Sequence, residues 1–160
     1  WSSDVCSSDL FTVQAPHGNW DLPYKEACEE AAVLMAIRYY FGNPIRSIED
    51  ADAGILDLVR TNEEILTYPI DQTVEQVREL ITAIDPSIPH RLMRHPTVED
   101  LKNELSRGNV IIVPAAGREL KNPFFRRPGP LYHMLVLRGF TDDDHFITND
   151  PGTKRGEGYL

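Results

Sequence analysis

Cysteine is scarce in this 160-residue chain, which has only Cys6 and Cys28. Two thiols cannot build a disulfide framework, and without a Cys-x-x-Cys pair no structural zinc site is indicated. His17 and Cys28 have no ligand spacing that would hold zinc either, and no cofactor is expected. Cations are also few: 16 Lys and Arg against 25 Asp and Glu give a net charge of −9. A nucleic-acid surface needs clustered Lys and Arg to neutralise phosphates, so that class is disfavoured. The adjacent Arg126-Arg127, followed by Pro128-Gly129, reads as a solvated loop. Long apolar runs are missing too, and each one falls well short of the roughly 18 residues that a membrane span requires. No internal repeat or low-complexity tract is present.

What remains has the composition of an ordinary globular protein, 41% apolar and 26% charged. The chain is long enough for one domain to bury a core without cross-links. Residues 1–10 look foreign to the rest and resemble translated sequencing-adapter read-through, so they are set aside. The expected domain is 11–160, and Gly156 to Leu160 carry no natural stop signal, as at a truncated end.

Phe11 to Gln14 reads as extended, followed by a turn-rich stretch through His17-Gly18-Asn19. Pro23 sets a helical φ at its first position, and Tyr24 to Phe41 is rich in good helix formers. Ala27, Ala31, Leu34, Met35 and Tyr39 recur at helical spacing as a buried stripe, with Gly42 as the stop. Ser47 with Asp50, Thr73 with Gln76 and Thr97 with Asp100 form capping boxes that open three further helices. These run to about Arg60, Ile84 and Gly108. The second half changes period. Val110 to Val113 is a short buried strand, and Tyr132–Phe140 with His145–Asn149 forms an antiparallel hairpin. Between the strands lies a long Pro- and Gly-rich loop, Ala116 to Leu131, of the kind that is functional or mobile. Helices first and strands afterwards make the fold class α+β.

Cys28 lies in the first turns of the long helix, where unpaired N–H groups and the dipole favour a thiolate and lower its pKa. The alternative is a small buried hydrophobe. His133 heads an apolar strand directly after the long loop, a usual place for a catalytic side chain. The hairpin register decides its partner. An even loop such as Asp142-Asp143 sets Thr141 opposite Asp144 and Leu135 opposite Asp150, which puts Asp150 on the face of His133. An odd loop brings Asn149 there instead. Either side chain suits a Cys-His site, while Asn149-Asp150-Pro151-Gly152 has turn chemistry regardless. Gln14 carries an amide that can serve an oxyanion beside the Cys28 N–H. Trp20, Phe124 and Phe125 are candidates to line a cleft, though aromatics are more often core.

Gln14, Ala27-Cys28-Glu29 opening a helix that ends Tyr39-Tyr40-Phe41-Gly42, His133 leading a strand ending Gly139-Phe140, and Asn149-Asp150-Pro151 occur in an informative order. Together they resemble the stand-alone relatives of bacteriocin-leader-processing (double-glycine) cysteine peptidases, across about Phe11 to Tyr159. The resemblance implies a papain-like fold, Cys28 as nucleophile, His133 as acid/base, Asp150 (or Asn149) as orienter and Gln14 as oxyanion donor. It implies a peptide or protein substrate, hydrolysed through an acyl-enzyme with a thiolate–imidazolium pair at rest, and favours an exported or cell-envelope location. Glu29 departs from the Gly common after the family's cysteine. Two other outcomes of the same scaffold are a silent module that binds peptide or cell-envelope material, and a Cys-dependent amidase or acyltransferase.

Overall fold

The computed structural model describes residues 3–4, 10–67 and 71–159; Cys6 and most of the segment 1–10 lie outside the described residues. Strand β1 (Ser3–Asp4) precedes helices α1 (Cys28–Phe41), α2 (Ile48–Thr61), α3 (Val74–Ile84) and α4 (Val98–Ser106). Strands β2 (Ile111–Ala116), β3 (Tyr132–Phe140), β4 (Phe146–Asn149) and β5 (Glu157–Tyr159) follow. The architecture is α+β, as the order of patterns predicts.

The expected helix from Tyr24 is split. Tyr24–Glu26 forms one 3-10 turn, Ala27 leaves helical geometry at φ −99° and ψ 31°, and the α-helix begins on Cys28 itself. The predicted stripe is also too narrow a description. Residues 28 to 35 are all buried, Glu29 and Glu30 included, because α1 is the central helix and is covered on every side. Gly42 ends it in the left-handed region, at φ 63°. Thr73 and Thr97 make full capping boxes, whereas the Ser47 box is one-sided: Ser47 Oγ accepts from the Asp50 N–H, but the Asp50 carboxylate turns to the Arg46 N–H and to Arg38.

All strand pairs are antiparallel, and β3 is the hub: β2 and β1 lie along one edge, β4 along the other, with β5 outside β4. Met134 and Val136 point into the main core with Ala31, Met35, Ile55 and Leu80 from the helices. Leu135 and Leu137 point the other way, onto Leu105 of α4. Each fully buried aliphatic contributes about 1.5–3 kcal/mol of transfer free energy. Both faces of β3 are therefore fixed in place, and with them the residues at its head. Among the described residues, no helix is long and apolar enough to cross a membrane.

Candidate active site

The head of β3 carries His133. Its Nε2 lies 2.6 Å from Asp150 Oδ1, and both side chains are 2% exposed. Asp150 is itself held: Oδ1 accepts the Gly152 N–H at 2.8 Å and Oδ2 accepts from Asn122 Nδ2 at 2.9 Å. Where Nε2–H donates to Asp150 Oδ1, Nδ1 is the ring nitrogen left with a lone pair. The Phe125 ring stands edge-on to the imidazole, with centroids 5.3 Å apart. Gly152 permits the closeness of these parts, since a Cβ there would lie 2.9 Å from both His133 Cε1 and Phe125 Cε1.

Asp150 reaches this face by a route the sequence does not show. The turn is odd: Thr141 N–H bonds to His145 O and Phe140 pairs with Phe146, so Thr141 is not opposite Asp144. That register would give Asn149 the face of His133. A β-bulge between Leu137 and Gly139 shifts the ladder by one, so that Val136 pairs with Asn149. The next position, Asp150, therefore comes to the His133 side. Asn149 points away, and its Oδ1 accepts from the Gly158 N–H.

Cys28 lies at the open edge of the same strand. On the edge away from β2, β4 pairs with β3 only from Val136 onward and has ended at Asn149, so it offers Met134 no partner. The Met134 amide is left without a ladder partner and points at the Cys28 sulfur instead. The nucleophile candidate thus sits beside the residue that follows His133. Among the described residues its thiol proton goes to Glu29 Oε2, at 3.0 Å, and not to the imidazole. Burial first, and then the neighbouring Glu29 carboxylate, push the thiol pKa up. These influences oppose the lowering expected from the helix start and favour the neutral thiol.

Beneath the thiol is a buried polar cluster that sequence reasoning missed. Glu29 Oε1 accepts the Gln72 N–H at 2.8 Å, while Glu30 Oε1 accepts from Asn62 Nδ2 at 2.6 Å and from Gln72 Nε2 at 2.8 Å. Burial raises the pKa of both carboxyls. Tyr132 donates its hydroxyl to Gln72 O at 2.5 Å, which ties the cluster to β3. Nothing in the sequence marks these consecutive glutamates as interior; the burial of α1 on all sides does. Asn122 was missed for a similar reason: in the sequence it is one polar residue in a long loop.

Gln14 is 4% exposed and its backbone N–H donates to Pro151 O at 2.9 Å. Its side-chain amide donates to Tyr24 O at 2.9 Å and Lys25 O at 3.0 Å, which uses both hydrogens. It bridges the Asp150 turn and the approach to Cys28. Trp20 and Phe124 are 43% and 40% exposed. A small cavity of about 120 Å³ lies against Asp150 and Asn122, while a larger hollow of about 470 Å³ between α1 and α2 touches none of the candidates.

A buried carboxylate–imidazole pair, a thiol at a helix start against the same strand, and an α+β framework are what a papain-like cysteine peptidase is built from. No curated protein and no solved structure matches the chain. The family described as Peptidase_C39 like matches residues 11–160, nearly the whole length, and the chain belongs to that family of papain-like cysteine peptidases.

Proposed function

We propose that this chain hydrolyses peptide bonds through Cys28, His133 and Asp150 by way of an acyl-enzyme. The observation that carries the reading is the buried Asn122–Asp150–His133 relay, which presents Nδ1 as a base one residue from the amide that addresses the Cys28 sulfur. The thiol first turns its proton from Glu29 to His133 Nδ1, and sulfur attacks the carbonyl carbon. The oxyanion that forms is held by the Cys28 N–H, with Gln14 as second donor once it releases Tyr24 O or Lys25 O. His133 then gives the proton to the departing amine. Next it takes one from water, which attacks the thioester and releases the acid, and the thiolate recovers its proton. Asp150 keeps the ring oriented throughout.

A second reading is favoured by the Cys28–Glu29 bond, because a thiol held neutral suits a module that binds peptide without cleaving it. One experiment separates the two. Purified protein and its Cys28→Ala variant are incubated with a mixed peptide pool at several pH values, and products are identified by mass spectrometry. In parallel the wild type is alkylated and the labelled residue located. Cleavage lost in Cys28→Ala, with label on Cys28, is the expected result. No cleavage, with Cys28 inert between neutral and mildly alkaline pH, leaves the silent module.

A further inference from the structure

Two loops enclose the imidazole, and their charge opposes that of the molecule. In 117–131 the backbone at Gly117 approaches His133 Cβ and Phe125 meets its ring; in 150–156 Gly152 touches both. Phe124 joins the two loops, packing on Tyr159 with Arg155 over its face at 5.1 Å. Six of the chain's 16 cations sit here, Arg118, Lys121, Arg126, Arg127, Lys154 and Arg155, all exposed. Only two of the 25 acids do, Glu119 and the buried Asp150. These loops therefore carry +4 and the rest of the chain −13.

Pairing sharpens the contrast. Among the described residues at least seven of the ten cations elsewhere are in ion pairs with a carboxylate, Arg38 with Asp50 and Arg94 with Glu75 for example. Among the described residues no ion pair involves any of the six around the imidazole. The Arg126-Arg127 pair, a solvated loop when taken alone, belongs to this set. Unpaired cations gathered on two adjoining loops of an acidic protein create a local field that draws in anions.

We propose that these loops bind an acidic peptide segment, which makes the preferred substrate one with Asp or Glu beside the bond presented to Cys28. This rests on the peptidase reading. A short acidic peptide fits better than a nucleic acid, because the cations lie on the two loops that meet His133 and carry Asp150. Moreover, a long polyphosphate would run from them onto the rest of a chain whose formal charge there is −13.

The test uses the full chain carrying Cys28→Ala, so that binding is read without turnover. Three labelled peptides of equal length share a centre and differ in Glu, Ser or Lys flanks. At low salt the Glu peptide is expected to bind about tenfold tighter than the Lys peptide, and the difference to vanish at about 0.5 M salt, where screening is nearly complete at contact range. Arg126→Glu with Arg127→Glu should abolish the preference, Arg126→Gln with Arg127→Gln should halve it or more, and Arg78→Glu on α3 should leave it. Thermal melts check that each variant folds. Equal binding of the three peptides overturns the proposal, as does a preference that survives charge reversal. An oligonucleotide that displaces the Glu peptide at lower concentration also overturns it, in favour of a nucleic-acid groove. If the acidic preference holds while the wild type cleaves nothing and Cys28 resists alkylation, the anion site stands and the peptidase reading fails.

Discussion

After burial, Glu29 is the group that most raises the Cys28 thiol pKa. A thiolate 3.0 Å from a carboxylate oxygen would place two like charges together in a buried site, so the proton stays on sulfur while Glu29 is ionised. Glu29→Gln removes that charge and still leaves an amide oxygen for the Gln72 N–H. The variant thiol is expected to ionise at lower pH than the wild type, because the raising influence of the carboxylate is gone. Iodoacetamide should then alkylate Cys28 about tenfold faster near neutral pH, in line with a like-charge contribution of a unit or more. Alkylation followed by mass spectrometry against pH checks this, and an unmoved profile would show that burial alone holds the thiol up. Glu29 was visible in the sequence only as a departure from the family's usual glycine.

At the scale of elements, legibility divides by what signal each part carries. Thr73, Thr97 and Gly42 announce helix ends through short-range chemistry, and α2, α3 and α4 follow closely. Strand β3 spans the predicted residues because its apolar run is bounded on both sides. The hairpin register was not legible, since a bulge at Arg138 leaves no mark in composition. The expected neighbour Asp150 arrives by an odd turn plus the bulge, not by an even turn. Strand β5 was missed because three residues give no periodicity. The long loop was legible as a loop, but its anchor was not. Asn122 Nδ2 donates to Asp150 Oδ2, so Asn122→Ala leaves a buried carboxylate oxygen short of a partner, at a cost of about 1–3 kcal/mol. We expect kcat to fall by about tenfold with KM nearly constant, since the loss is in how Asp150 holds His133. Asn122→Asp should be worse, because it faces one carboxylate with another.

For the molecule as a whole, two sets of carboxyls pull stability in opposite directions with pH. Surface acids such as Asp50, Asp85 and Asp100 have lowered pKa values from backbone and hydroxyl hydrogen bonds. They favour the fold above the ordinary carboxyl range and lose that effect as pH falls. Glu29 and Glu30 are raised by burial in the centre of the fold. Between the ordinary Glu value and their raised values the folded chain binds more protons than the unfolded one, so their contribution is full in acid and fades as pH rises. Glu30 also has Oε2 buried without a partner, as have Asn62 Oδ1 and Gln72 Oε1, three acceptors with no donor among the described residues. Glu30→Gln supplies an N–H₂ in place of that oxygen and removes the ionisation. Urea unfolding of this variant and the wild type at pH 4 and pH 8 reads Glu30 together with its coupling to Glu29, because the carboxyls remote from it cancel in the difference. The variant midpoint should lie close to that of the wild type in acid and clearly above it at pH 8. A gap of the same size at both pH values would mean that the amide acts through packing and hydrogen bonding alone, and that the proton on Glu30 plays no part in holding the centre of the fold.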